Sequence, residues 1–196
     1  ILPHTIKSED IFLSNLNDNI IIFCREKTSY NYVLKVFNHK KNVYLSKDMA
    51  FYINNLNKYK IIKGNGVCNA YRTDKEKTNI KIPEDNSDLS NTLNKPGNTK
   101  NINVIKDVSL SIFNHLSKFK TINTNRLHIA IAGSLLDKEV NFYGNSYYKN
   151  KSVFEYSINN IYKNTNFMWK FQMYKKFKFI FFEIGVSYFL FFLHQL

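Results

Sequence analysis

Short apolar runs alternate with amphipathic stretches along most of the chain. The continuous apolar run at residues 19–24 is typical of a strand buried on both faces. Residues 27–37 follow with apolar positions at helical spacing, and further strands are predicted at residues 42–46 and 66–73. This alternation predicts an α/β fold of the doubly wound, Rossmann-like kind.

The middle of the chain changes character and then returns to the same pattern. Residues 79–101 are polar, contain prolines and a glycine, and lack apolar periodicity, so they are interpreted as a mobile loop or linker. The pattern then resumes, with helices predicted at 104–119, 125–136 and 152–162 and strands at 121–123 and 139–144.

The last 20 residues, 177–196, are almost entirely apolar and aromatic. Their apolar core is shorter than the roughly 20 residues of a membrane span and contains Glu183. A buried terminal strand or helix is the first interpretation, and an interfacial membrane anchor is the second. A true span, or a read-through tail foreign to the domain, is the third.

The amino-acid composition of the chain indicates which kinds of molecule it binds. The net charge is +13, with 44% hydrophobic and 22% charged residues, as in a globular protein with an affinity for anions. The lysines are scattered among asparagines and isoleucines, which favours small anionic substrates or a membrane face over nucleic acid. Cys24 and Cys68 lie in apolar runs, which indicates buried, reduced thiols of a cytoplasmic protein, and no cysteine or histidine spacing indicates a metal site.

The segment 121–136 places Arg126 and His128 at the first turn of an apolar helix. The free N–H groups of a helix N-terminus attract anions, and an arginine fork holds a carboxylate or phosphate through two hydrogen bonds. His128 is a candidate for proton transfer near neutral pH. On spacing alone, the structural interpretation, a solvated arginine and a hydrogen-bonded core histidine, is favoured over a functional site.

Charged and aromatic residues also follow the other predicted strands, where the ligands of α/β folds bind. The candidates are Arg25, Asp48, Arg72, Tyr147, Tyr148 and Lys149. Each candidate also has a structural explanation. Arg25 would form an ion pair with its neighbour Glu26, Asp48 would cap a helix, Arg72 would belong to a group of solvated charges, and the tyrosines and Lys149 would lie in an ordinary loop.

Taken in order, these stretches resemble the polysaccharide pyruvyl transferase family. The resemblance lies in "LPHTI" (2–6), "FCREKTSY" (23–30), "LSKDMAF" (45–51), "YRTDKE" (71–76), "TNRLHIAIAGSLLDKEV" (124–140) and "NSYYKNKSVFEYS" (145–157). It implies a GT-B-like architecture of two Rossmann-like halves. It also implies transfer of an enolpyruvate-derived group from phosphoenolpyruvate to a sugar of a cell-surface polysaccharide, such as a capsule or exopolysaccharide.

The resemblance implies functional roles for Arg25 and for the Arg126-Leu127-His128 segment. In this reading His128 and Arg126 are the catalytic candidates, and the substrate-binding candidates are Arg25, Leu127, Arg72, Lys149 and Tyr148. The partners would be phosphoenolpyruvate, as donor substrate, and a glycan or lipid-linked sugar acceptor. The scheme requires no cofactor and no metal.

The resemblance also sets the expected domains. Residues 1–78 would be the remainder of an N-terminal half, 79–101 a linker, 102–168 the C-terminal half and 169–196 an apolar tail. The chain would then begin inside the family's domain, in a cytoplasmic protein whose tail contacts the inner face of the membrane. Two alternatives stay open: a GT-B-type glycosyltransferase that uses a nucleotide-sugar, and an inactive fragment.

Overall fold

The strands form two separate parallel sheets. A computed structural model describes residues 1–92 and 101–168. Within these residues one sheet has two strands and the other has four, and helices connect successive strands. The chain is therefore a mixed α/β protein with parallel sheets, consistent with the Rossmann-like fold that the alternating pattern predicts.

The first sheet is formed by the apolar run and the strand after it. β1 (Ile22–Cys24) pairs in parallel with β2 (Val43–Leu45), and α1 (Asp10–Ser14) and α2 (Lys27–Val36) pack against this unit. On the other edge of β1, His4 makes a parallel bridge to Cys24, so the opening segment continues the sheet. The small core of this unit consists of Ile6, Leu13, Ile22, Cys24, Val33, Phe37 and Val43.

The second sheet has the strand order β3-β4-β5-β6, with all pairs parallel. Its strands are β3 (Val67–Asn69), β4 (Thr121–Thr124), β5 (Glu139–Tyr143) and β6 (Thr165–Met168). The helices along this part of the chain are α3 (Asn57–Lys60), α4 (Leu89–Thr92), α5 (Ile102–Ser117), α6 (Leu127–Leu135) and α7 (Lys149–Val153).

Helix α6 lies at the centre of the larger core. All of its residues except His128 are buried, so the helix is enclosed on nearly every side. A Cβ atom added at Gly133 would lie 2.8 Å from side-chain carbons of both Ile122 and Val140, which shows how closely the helix lies against the sheet. The lack of a side chain at Gly133 therefore lets this helix lie directly on the sheet. On its other side α6 contacts the short 3-10 turn Met49–Tyr52, which follows β2.

Several elements differ from the sequence-based expectation. The 79–101 segment was expected to be a mobile loop or linker, but part of it is folded. Leu89 is 1% exposed within α4, and residues 93–100 lie outside the described range. The helix expected at 152–162 begins earlier, as α7, and continues as a π-helical turn at Phe154–Ile158.

The boundary expected at residue 78 groups β3 with the first half of the chain, yet β3 hydrogen-bonds to β4. The change of sheet falls between β2 and β3, because sheet membership depends on strand pairing that a local pattern does not encode. The division of the chain into domains stays a prediction. None of the helices within the described residues has the length and apolarity to span a membrane, and the apolar tail lies outside those residues.

Candidate active site

Polar side chains gather at the carboxyl ends of the strands of both sheets. Arg25 directly follows β1, and Asp48 lies three residues after β2. Arg72 lies three residues after β3, and Arg126 two residues after β4. The carboxyl ends of parallel strands face the same way, so the predicted residues lie at one edge of their sheet, where α/β folds bind ligands.

Arg25, Asp48 and His128 form a contact that joins the two sheets. Nη1 of Arg25 donates a hydrogen bond to Oδ2 of Asp48 at 2.8 Å, and Nε of Arg25 donates to the Thr5 hydroxyl at 2.8 Å. Nε2 of His128 lies 3.5 Å from the same Oδ2 atom. His128 extends from the first turn of α6 with 67% of its side chain exposed, so the ring is open to solvent. The core histidine of the alternative interpretation is therefore excluded.

The carboxylate of Asp48 is held in its charged form although it is buried. Burial by itself raises its pKa, but hydrogen bonds from His128, the Ala50 N–H group and Arg25 outweigh this and lower the pKa well below its ordinary value. The contact with Ala50 caps the 3-10 turn, as the structural alternative for Asp48 expected. Asp48 therefore both caps a turn and bridges two candidate site residues.

Arg126 and Arg72 are held by carboxylates of the same chain. Nη2 of Arg126 donates to Oδ2 of Asp88 at 2.6 Å and to Oδ2 of Asp74 at 3.1 Å. Arg72 holds Asp74 through two hydrogen bonds of 2.8 and 2.9 Å and also pairs with Glu76. Arg72 is therefore held in ion pairs and is not one of the solvated charges that the structural alternative expected. The Arg72 hydrogen bond is the largest cause that lowers the pKa of Asp74 to about 2.

Lys149 extends this network to α7. Its Nζ atom donates to Oε2 of Glu76 at 2.8 Å and lies 5.0 Å from the centroid of the Tyr147 ring. Burial raises the pKa of Glu76, but the hydrogen bond from Lys149 and the charge of Arg72 outweigh it and lower the pKa. The network therefore fixes the segment after β5 against the segment after β3.

The four cations that the sequence offered for anion binding are thus already matched by four carboxylates. The pairs are Arg25 with Asp48, Arg126 with Asp88 and Asp74, Arg72 with Asp74 and Glu76, and Lys149 with Glu76. The formal charges of these eight groups cancel. The network therefore offers an anionic substrate no net positive charge, and the N–H groups of the α6 N-terminus are an additional positive end that it does not neutralise.

The two remaining substrate-binding candidates are placed differently. The side chain of Leu127 lies in the core of the second sheet, so only its backbone is available to a ligand. The Tyr148 hydroxyl donates to the Ile6 carbonyl at 3.1 Å, and the pKa of Tyr148 is raised, chiefly by burial. This tyrosine thus anchors the opening segment, and its role in substrate binding stays a prediction.

Glu26 is a residue whose importance the spacing did not reveal. It was considered as an ion-pair partner of Arg25, but Arg25 pairs with Asp48 instead. The Glu26 carboxylate is fully buried and caps α2 by accepting hydrogen bonds from the N–H groups of Thr28 and Ser29. It also accepts from the Ser152 hydroxyl of α7 at 2.8 Å, which links the first sheet to the second. An acidic residue directly before a helix is the signal that indicates this cap.

Asp88 was missed because it lies in the segment interpreted as a linker. Besides holding Arg126, its Oδ2 atom accepts from the Thr73 N–H group at 3.0 Å and from Nδ2 of Asn91 at 3.2 Å. The aspartate before a short helix, at "DLSN", was the available signal. Within residues 1–92 and 101–168 no group of three or more metal-binding side chains comes together.

The site and fold define a class of protein: an α/β protein with a charged edge where parallel strands end and a histidine-bearing helix begins. The family model for polysaccharide pyruvyl transferase matches residues 3–147, most of the chain. The chain belongs to the polysaccharide pyruvyl transferase family. Membership of this family implies a transferase and a connection with polysaccharide biosynthesis.

One solved structure supports the same fold. It is a functionally uncharacterised protein from Klebsiella pneumoniae subsp. pneumoniae NTUH-K2044, 38% identical in sequence, with a TM-score of 0.71. The match covers 86% of this chain but 62% of that protein, so the chain spans less than two thirds of its relative. No curated protein matches the chain.

Proposed function

We propose that the protein is a pyruvyl transferase that moves an enolpyruvate-derived group from phosphoenolpyruvate to two hydroxyls of a sugar, forming a cyclic ketal. The observation that supports this most is the meeting of His128 with the Arg25–Asp48 pair, in a chain that belongs to this family. This contact brings the imidazole ring of His128 and the buried cation of Arg25, which belong to different sheets, to one edge of the site. Ketal formation needs both a proton donor and a fixed positive charge.

The donor carries a carboxylate and a phosphate. In this proposal the N-terminal turn of α6, the exposed ring of His128 and the Arg25 side chain hold these groups. Arg126 and Arg72 fix the shape of the edge through their carboxylate partners, and the catalytic assignment of Arg126 stays a prediction. The reaction consumes only the donor and the sugar, so it proceeds without a cofactor.

The acceptor belongs to the same proposal. We infer a glycan or lipid-linked sugar as acceptor, bound in a cleft between two Rossmann-like halves in a GT-B-like arrangement on the cytoplasmic side of the membrane. The support is the contact of the two sheets through residues that follow their strands.

Ligand-induced stabilisation tests the donor. Phosphoenolpyruvate at 100 times its dissociation constant should raise the free energy of unfolding by about 2.7 kcal/mol, seen as a higher Tm. Nucleotide-sugars should leave Tm unchanged. A shift only with nucleotide-sugars would contradict the proposal in favour of a glycosyltransferase, and no response to either would favour an inactive fragment.

Variants separate catalysis from folding. His128→Gln should abolish transfer, measured as phosphate release that depends on the sugar acceptor, and should leave Tm unchanged because the side chain is 67% exposed. The matched control is His39→Gln, since His39 lies before β2 at the opposite end of the strand, against Phe37. Arg126→Ala does not make this separation, because it leaves Asp88 and Asp74 without their partner.

A further inference from the structure

His4 lies beside the candidate site. In the sequence, its segment was considered only as one of the motifs that carry the family resemblance. Its backbone N–H group donates to the Phe23 carbonyl at 3.3 Å, and its carbonyl accepts from the Arg25 N–H group at 3.2 Å. The next residue, Thr5, accepts from Nε of Arg25. His4 is therefore fixed in register with the end of β1, next to the cation that the proposed reaction uses.

The other side of this segment is fixed as well. The Ile6 N–H group donates to the Ser29 hydroxyl at 2.8 Å, and the Ile6 carbonyl accepts from the Tyr148 hydroxyl. The segment is thus held to the first sheet and to the start of α7. The side chain of His4 is exposed and makes no hydrogen bond or ion pair with the described residues, so its ring is free to meet a ligand.

Two histidines therefore lie near the Arg25–Asp48 pair, in different surroundings. Nε2 of His128 lies 3.5 Å from the Asp48 carboxylate, so a negatively charged oxygen lies next to this ring. Among the described residues, no carboxylate lies within ion-pairing distance of the His4 ring. Pairs of titratable groups in opposite environments are the arrangement that acid–base catalysis uses.

We propose that His4 is a second catalytic residue, the base that accepts a proton from the attacking sugar hydroxyl, while His128 is the acid. This rests on the proposed function, since it assigns the second proton-transfer group of that same site.

These two imidazole rings account for every proton that is transferred in the reaction. His128 donates a proton to the methylene carbon of phosphoenolpyruvate, and the first sugar hydroxyl attacks the neighbouring carbon, giving its proton to His4. The bond from that carbon to the phosphate oxygen then breaks. The phosphate leaves with the electron pair and takes the proton from His4. The second hydroxyl closes the ring and returns a proton to His128.

The electrostatic surroundings of His4 fit a base. Partial desolvation of the ring lowers the pKa of His4, and the positive charges of Arg25 and Lys149 and the His128 ring lower it further, while the Asp48 carboxylate acts in the opposite direction. A pKa below the ordinary value of 6.5 leaves the ring neutral at pH 7. A neutral imidazole is the form that accepts a proton.

The test compares wild-type, His4→Gln and His39→Gln full chains in the transfer assay across pH. For the wild type, kcat/KM should fall on acidification, at a pH below the ordinary histidine value of about 6.5, because His4 becomes protonated and no longer accepts a proton. His4→Gln should lower kcat roughly 100-fold or more, lose this acid limb and keep the Tm shift with phosphoenolpyruvate. His39→Gln should behave as the wild type.

A second variant distinguishes a catalytic role of His4 from a purely structural one. His4→Ala should regain activity when free imidazole is added, since a small base then occupies the vacated space. Full activity and an unchanged acid limb in His4→Gln would overturn the assignment while the proposed function stands. Failure of imidazole to restore His4→Ala would also overturn it. Absence of transfer by the wild type would remove the proposed function and this inference together.

Discussion

At the scale of single residues, Asp48 shows how one side chain serves two purposes. It caps the turn after β2 through the Ala50 N–H group, and it carries the negative charge that Arg25 and His128 share. The Arg25 side chain is 8% exposed, so its charge depends on this carboxylate. Folding of this edge and placement of the candidate acid therefore depend on the same atoms.

We predict that Asp48→Asn destabilises the protein by about 3 kcal/mol at pH 7, because a buried arginine loses its counter-charge. Denaturant unfolding measures this loss. Asp18→Asn, at an exposed aspartate without such a partner in the described residues, should change stability by less than about 0.5 kcal/mol. Equal effects of the two variants would contradict the role given to Asp48.

The same residue predicts a pH dependence of stability. Because the folded-state pKa of Asp48 is lowered, its contribution is complete above the unfolded-state value of about 3.9 and is lost as the pH falls toward the folded-state value. The wild type should therefore lose more stability than Asp48→Asn between about pH 4 and pH 2. Thermal unfolding across this range measures the difference, and parallel curves would contradict it.

At the scale of elements, the turn before β3 depends on a glycine. Gly64 has φ of +67°, and a Cβ atom there would collide with the backbone of Phe119 after α5. Gly66 has nearly the same φ, +66°, but a Cβ atom there would meet nothing within 4 Å. The two positions thus share the backbone conformation and differ only in their surroundings.

This pair gives a matched prediction. Gly66→Ala should cost about 1 kcal/mol, the strain of a left-handed alanine. Gly64→Ala should cost at least 1 kcal/mol more, because the Phe119 backbone must also move. Urea unfolding of both variants provides the comparison, and equal losses would show that the close approach to Phe119 does not persist in solution.

At the scale of the whole molecule, a few polar contacts join the two sheets. The Ser152 hydroxyl of α7 donates to the buried Glu26 carboxylate at 2.8 Å and lies 3.0 Å from the Thr28 hydroxyl. Tyr148 meets Ile6, and His128 meets Asp48. These contacts hold both halves of the proposed site in one arrangement.

We predict that Ser152→Ala lowers the free energy of unfolding by about 1–2 kcal/mol, because Glu26 loses a hydrogen bond in a buried place. Ser157→Ala is the matched control: its hydroxyl is buried and finds no hydrogen-bond partner among the described residues, so its removal should be neutral or slightly stabilising. Chemical unfolding of the two variants should separate them. A larger loss in Ser157→Ala would contradict this view of the junction.

Much of the local secondary structure could be predicted from the sequence. The apolar run before Arg25 and the helical spacing after it correspond to β1 and α2, and the small residues around Gly133 correspond to the docking of α6. The strand β6 (Thr165–Met168) and the short helix α1 (Asp10–Ser14) were not predicted. Both are too short to show a clear period.

The ion-pair partners of the candidate residues were much harder to predict from the sequence. Spacing offered Glu26 for Arg25, whereas the fold supplies Asp48, 23 residues away. It presented Arg126 as an anion ligand, whereas Asp88, 38 positions earlier in a segment interpreted as a linker, already holds its fork. Ion pairs of this kind form only once strands are paired, so local sequence does not specify them.

The sequence by itself determined the alternation of strands and helices, the family and the segment with His128 as a leading candidate. These follow from periodicity, capping and short motifs, which act over a few residues. Only the tertiary structure decided that β3 joins the second sheet, that the four cations are neutralised, and that the His4 segment and His128 lie beside one ion pair. The reason is that strand pairing and charge pairing are long-range contacts whose energies depend on burial and geometry.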